Sequence, residues 1–255
     1  MSLLGCSPKV SQPAATFSQV TFPSREMTLD GKTYRYRIYV PAQIDKHPAC
    51  MLYLHGSDER GTDNEGQLSG PAPSIIANPE YFNFVIVFPQ APQGRFWDAE
   101  MIKVANAELD QTVREFNADT SRIYLAGFSL GGYGVWSAAA MSPEKFAALV
   151  PMSGRLLPRP GERKDVAPEV LKLADAAAPF AAFAGTLKDV PIWIFHGAQD
   201  DIVPVSNSRE MAKALRAAGN NNVTYTELPN TGHVSLPEAF GNADLFRWLA
   251  AQRRQ

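Results

Sequence analysis

Short apolar runs recur along the chain at Ala49 to Leu54, Phe84 to Phe88, Ile123 to Ala126, Ala147 to Met152, Ile192 to Phe195 and Val223 to Leu228. Runs of this length that lack polar alternation are what strands look like when both of their faces are covered. The stretches between them have a different period. In Ala99 to Asn117 the apolar residues Ile102, Ala105, Leu109, Val113 and Phe116 fall three to four apart, which stacks one helical face on a sheet, and Ser206 to Ala218 and Asn242 to Arg253 repeat the pattern. Gly219 follows the second of these, where a helix C-terminus favours glycine. Strands alternating with helices predict an α/β fold with a mostly parallel central sheet and helices on both faces. Upstream, Gln19 to Leu29 and Lys32 to Val40 are extended runs joined at Asp30-Gly31, a two-residue hairpin signal that predicts antiparallel N-terminal strands.

At 255 residues and 45% hydrophobic content the chain has length enough for one large domain with a substantial core. A formal net charge of -2 supplies no basic stripe, so nucleic acid is not an expected partner and a small, neutral substrate fits better than a polyanion. No apolar run reaches the roughly 18 residues of a transmembrane span. The two cysteines, Cys6 and Cys50, are too few for a disulfide framework, and Cys50 opens an apolar strand, where a thiol behaves as a small hydrophobe. Leu3-Leu4-Gly5-Cys6 resembles a bacterial lipobox, and the polar stretch from Ser7 to Gln19 reads as a tether, so residues 1–18 are set apart from a catalytic domain over 19–255. No basic and apolar stretch precedes the motif. Two localisations therefore stay open: an exported protein with a lipid anchor at Cys6, and a cytoplasmic one in which four residues match by chance.

Candidate chemistry enters at Gly127-Phe128-Ser129-Leu130-Gly131, placed between the run Arg122 to Ala126 and a small-residue helical segment, Gly132 to Met141. A G-x-S-x-G sequence between strand and helix is the pattern of a nucleophile elbow, which makes Ser129 the candidate nucleophile and aims the following helix N-terminus at it. A serine hydroxyl needs a general base and an acid to orient that base. In doubly wound hydrolases these follow in the order Ser, acid, His on strand-end loops. Of four histidines, only His233 lies downstream of an acid in such a loop, and it is the candidate base. Asp200, in His196-Gly197-Ala198-Gln199-Asp200, is the candidate acid, while Asp201 reads as a cap for the turn or for the helix after Pro204. The backbone N–H of Leu130, next to the nucleophile, and that of Ser57, in the loop after Leu54, are the candidate oxyanion-hole donors. His55 reads as a loop-holding residue.

These residues carry a resemblance. The chain resembles α/β-hydrolase serine esterases of the group labelled predicted peptidases, related to feruloyl esterases and polyhydroxybutyrate-depolymerase-like enzymes. The resemblance runs from about Thr33 to Arg253 and rests on Leu54-His55-Gly56-Ser57, on Glu59-Arg60-Gly61-Thr62-Asp63-Asn64, on Phe88-Pro89-Gln90 with Trp97, on the elbow through Gly134, and on His196-Gly197, Asp200 and Gly232-His233. It implies the α/β-hydrolase fold and ester hydrolysis through an acyl-enzyme intermediate, with neither metal nor organic cofactor. Asp58 stands where family members usually carry Gly, and a carboxylate aimed at an oxyanion would oppose catalysis, so Asp58 is expected to face away, toward Arg60. The segment Arg155 to Asp189 is long for a strand connection and is expected to form a cap or pocket wall; the alternative is an excursion that packs against the sheet edge. Phe180 and Phe183 within it, and Trp97 outside it, are candidate substrate-binding residues, and Trp136 reads as packing.

The function expected from the sequence is a serine carboxylesterase acting on small acyl or aryl esters. Its alternatives are a prolyl-oligopeptidase-type peptidase or amidase and a non-catalytic binding protein on the same scaffold.

Overall fold

The computed structural model describes residues 20–254. The eight strands are β1 (Ser24–Leu29), β2 (Lys32–Tyr39), β3 (Cys50–Leu54), β4 (Val85–Phe88), β5 (Ile123–Phe128), β6 (Ala148–Met152), β7 (Ile192–Gly197) and β8 (Val223–Leu228). They form one sheet in the order β1-β2-β4-β3-β5-β6-β7-β8. The β1–β2 and β2–β4 pairs are antiparallel and every later pair is parallel, so the hairpin at Asp30-Gly31 feeds a parallel sheet. Both turn residues have positive φ, 50° at Asp30 and 76° at Gly31, as a tight hairpin twisting with its strands requires.

Among the described residues eight α-helices connect or flank the strands: α1 (Pro71–Ala77), α2 (Ala99–Glu115), α3 (Leu130–Met141), α4 (Pro168–Ala174), α5 (Pro179–Thr186), α6 (Ser206–Ala217), α7 (Leu236–Phe240) and α8 (Ala243–Ala251). The apolar strands face two cores, and the alternation of their side chains decides which residue goes where. Cys50, Leu52 and Leu54 join Ile102, Val135, Val170 and Met211 in a core under α2 to α6, whereas Met51 and Tyr53 join Ile75, Phe240 and Phe246 under α1, α7 and α8. This double burial is why the strands show no polar alternation in the sequence. The Cys50 thiol belongs to the first core and burial pushes it up to about 12, so it packs as a hydrophobe. Cys6 lies outside the described residues. Among the described residues no helix is long and apolar enough to cross a membrane.

The segment between Arg155 and Asp189 carries α4 and α5. α4 packs on α3, and α5 packs on α4 and α6, so both helices extend the layer on one face of the sheet. Its entry is fixed by Arg155, whose guanidinium stacks 4.2 Å from the Tyr133 ring centroid and pairs with Glu162 at 2.5 Å. Phe183 is fully buried in the core under this layer, and Phe180 packs on the same cluster from its edge. That corrects the expectation for Phe183 as a pocket residue, since its ring is turned into the helical layer, while Phe180 is half-buried and borders a groove between α5 and α6. The helix α6 starts at Ser206 with Val205 in the cap position and no side-chain cap, so Asp201, which is exposed, does not cap it.

Candidate active site

Four loops at the carboxyl ends of parallel strands meet at one place, where open α/β sheets present ligand-binding groups. They follow β3, β5, β7 and β8. After β5 the chain reverses at Ser129, with φ 56° and ψ -112°, a sparsely populated conformation for a residue with a side chain. The elbow is held by close approach on both sides. A Cβ on Gly127 would stand 2.4 Å from the Gly131 carbonyl oxygen, and one on Gly131 would stand 1.8 Å from the Leu54 carbonyl oxygen. The Ser129 N–H donates to the Met152 carbonyl at 2.9 Å, which ties the turn to β6.

The side chain exposed by this turn meets a histidine. His233 Nε2 lies 2.7 Å from Ser129 Oγ, and His233 Nδ1 lies 2.8 Å from Asp200 Oδ2. The His233 loop is kept beside the acid loop by Gly197, where a Cβ would come 1.9 Å from the Gly232 carbonyl oxygen. The Asp200 side chain has no exposed area. Burial opposes its ionisation, but the His233 N–H and the backbone N–H groups of Val203, at 2.8 Å, and Ile202, at 2.9 Å, outweigh it and hold the carboxyl below the usual range. The Phe128 ring lies against the His233 imidazole, 5.2 Å between centroids.

A second histidine reaches the same acid. His196 is fully buried, and its Nε2 sits 3.0 Å from Asp200 Oδ2 and 3.0 Å from the Val203 carbonyl oxygen, while its Nδ1 faces Ser208 Oγ at 2.7 Å. Because Nε2 faces two acceptors it carries the proton, and Nδ1 accepts from the Ser208 hydroxyl. Burial lowers the pKa of this imidazole, consistent with a neutral ring. Sequence reasoning gave His196 no role; its spacing of four from Asp200 around a glycine is the signal that was present.

The loop after β3 is built around His55. Its Nε2 accepts from the Ala91 N–H at 2.9 Å and its Nδ1 donates to the Gly56 carbonyl at 2.6 Å. Burial lowers the ring's pKa to about 4. Trp97 corrects its expected place in a substrate pocket: it is fully buried, packs against Gly134 of α3, and donates its indole N–H to the His55 carbonyl at 2.9 Å. Trp97 thus supports the loop from beneath. Arg60 braces the loop from outside, giving Nε to the Ser57 carbonyl at 2.7 Å and a second N–H to the Arg95 carbonyl at 3.1 Å. Asp58 is exposed and takes the Ser57 hydroxyl at 3.3 Å instead of pairing with Arg60 as expected. The N–H groups of Ser57 and Leu130 have no protein partner among the described residues. Leu130 is the first residue of α3, so its N–H is one of the helix's unsatisfied donors.

The family model described as secretory lipase matches residues 183–254, the part of the chain that carries Asp200 and His233. A bifunctional acetylxylan esterase/xylanase from Neocallimastix patriciarum is 28% identical over 218 residues, which cover 83% of this chain and 27% of that protein. The crystal structure of a thermostable esterase superposes with a TM-score of 0.74 at 28% identity, covering 91% of this chain and 63% of that one. The chain has the α/β-hydrolase fold and is similar to these esterases. A feruloyl esterase B from Neurospora crassa is 29% identical over 138 residues, or 47% of this chain and 44% of that protein. This chain thus spans less than half the length of these two curated relatives.

Proposed function

We propose that the protein is a serine carboxylesterase and that Ser129, His233 and Asp200 are its catalytic triad. The observation that carries the proposal is the unbroken contact Ser129 Oγ to His233 Nε2 to Asp200 Oδ2, at 2.7 and 2.8 Å, on a strained strand-to-helix turn. Ser129 Oγ attacks the acyl carbon while His233 Nε2 takes its proton. The oxyanion that forms accepts from the N–H groups of Leu130 and Ser57, two donors with no competing protein acceptor. Protonated at both nitrogens, His233 is held by Asp200, then gives the Nε2 proton to the leaving alkoxide as the tetrahedral intermediate collapses to an acyl-enzyme. Water attacks the acyl carbon in the second half, giving a proton to His233 that returns to Ser129 as the acid leaves. A neutral His233 is required at the start, because Nε2 must be free to take the Ser129 proton.

The acetylxylan and feruloyl esterases among the relatives favour small acyl and aryl esters as substrates. Ser129→Ala tests the assignment: hydrolysis of p-nitrophenyl acetate should fall by several orders of magnitude, and labelling by a fluorophosphonate probe should vanish. Undiminished turnover in that variant overturns the proposal.

A further inference from the structure

A cavity of about 520 Å³ opens beside the triad, bordered by Asp58, Glu59, Gly70, Phe128, Val234 and Leu236. Its walls are the residue before Ser129, the residues just after His233 and the loop that carries Ser57. The leaving oxygen of an ester must turn toward His233 to take its proton, so the space behind His233 is where the alcohol half extends. That wall includes Val234, which is 59% exposed and gives the cavity an apolar side.

The floor of the cavity is polar. A Cβ on Gly56 would stand 2.8 Å from Glu59 Oε2 and 3.5 Å from Ser129 Cβ, so this carboxyl and the Ser129 side chain border the same gap. Glu59 Oε1 lies 3.1 Å from the position of a Cβ on Gly70, and the Tyr53 hydroxyl lies 3.7 Å from that position. Tyr53 is fully buried, and its hydroxyl has no hydrogen-bond partner among the described residues. No cation among the described residues comes within ion-pair distance of Glu59; its neighbour Arg60 is spent on the Ser57 and Arg95 carbonyls. A half-buried carboxyl without a cation, at one end of a cavity with an apolar wall, forms a site for a ligand that donates hydrogen bonds; the Tyr53 phenol lies behind it, out of the cavity. Burial pushes the Glu59 carboxyl up, against the backbone hydrogen bonds it accepts from Glu59 and Gly56.

We propose that this cavity receives the alcohol half of the ester and that Glu59 makes it selective for neutral, hydroxyl-bearing alcohols over those that carry a carboxylate. The inference rests on the esterase reading above. Two acetates that release similar phenols test it, 3-acetoxybenzyl alcohol and 3-acetoxybenzoate, with p-nitrophenyl acetate measured alongside. The wild type should favour the hydroxymethyl compound in kcat/KM by about tenfold or more, since like charges across a desolvated contact are strongly disfavoured. Glu59→Gln should shrink that preference to about twofold, mainly through a lower KM for the benzoate. An unchanged ratio, or a wild-type preference for the benzoate, overturns the role of Glu59. Ala77→Trp narrows the cavity from α1 and should raise KM for both aryl acetates about tenfold more than for methyl acetate. Equal effects on large and small alcohols overturn the assignment of the cavity even if Glu59→Gln fails to fold. Failure of the wild type to hydrolyse p-nitrophenyl acetate overturns the esterase reading itself, and this inference with it.

Discussion

His196 and His233 share one carboxylate oxygen: Asp200 Oδ2 lies 3.0 Å from His196 Nε2 and 2.8 Å from His233 Nδ1. Ile202 and Val203 donate to Oδ1 and His233 donates to Oδ2, with His196 Nε2 beside Oδ2. The carboxylate is thereby kept ionised and fixed in rotation, and the ring of His233 is fixed through it. Removing the buried donor should leave substrate binding intact and weaken the orientation of the base. A hydrogen bond to a charged group contributes roughly 1.5–3 kcal/mol, so His196→Ala should lower kcat by about 10- to 100-fold with KM nearly unchanged. Ser208→Ala, which only frees the ring's tautomer, should cost less. Steady-state kinetics on p-nitrophenyl acetate check both; a drop in KM-dependent binding with kcat preserved would contradict this role for His196.

Acid stability should depend on His55. The buried neutral ring has a pKa of about 4, against an unfolded value near 6.5. Its pKa is lowered on folding, so between those values the unfolded chain binds the proton that the folded chain refuses. Stability is complete above about pH 6.5 and falls as pH drops toward 4, by up to roughly 3 kcal/mol from this group. Protonation would remove the acceptor of the Ala91 N–H, so the loop carrying Ser57 is the first part affected. Urea midpoints measured from pH 7 to pH 4 should slope downward in the wild type. His55→Asn should be less stable at pH 7 and show a flatter slope.

Trp97→Phe separates support of the loop from selection of the substrate. The variant keeps most of the packing against Gly134 but loses the N–H to the His55 carbonyl, so it should cost about 1 kcal/mol of stability. Because Trp97 lies under the loop, kcat should fall by a similar factor for acetate, butyrate and aryl esters alike. A change in acyl-chain preference would return Trp97 to the pocket.

The layout of β3 to β7 was legible because each is buried on both faces and therefore reads as a plain apolar run; the hairpin was legible because Asp30-Gly31 suits one turn type. The elbow was legible because Gly127 and Gly131 face backbone oxygens that exclude any side chain. Ser129, Asp200 and His233 could be picked out by chain order, and the structure brings the three together. What sequence could not supply was the direction of aromatic side chains. Trp97 and Phe183 look alike as pocket or as core, and only the packing of α3, α4 and α6 around them decides for core. Nor was α1 legible: Pro71–Ala77 is too short for a periodic pattern, yet it walls the cavity beside Ser129. His196 was overlooked because a buried histidine at a strand end is ordinary until its distance to Asp200 is known.

Phe183→Ala tests the core assignment from the opposite direction. The ring is fully buried under the helical layer, so its removal leaves a cavity between α5 and its neighbours rather than a gap at the triad. Large-to-small changes of this kind cost about 3–5 kcal/mol, enough to lower the urea midpoint sharply. In the folded fraction the contacts among Ser129, His233 and Asp200 are untouched, so kcat/KM per folded molecule should stay within about twofold of the wild type across an ester panel. An acyl-specific rise in KM without loss of stability would place Phe183 in the substrate site and reverse the reading of the 155–189 segment as part of the flanking helical layer.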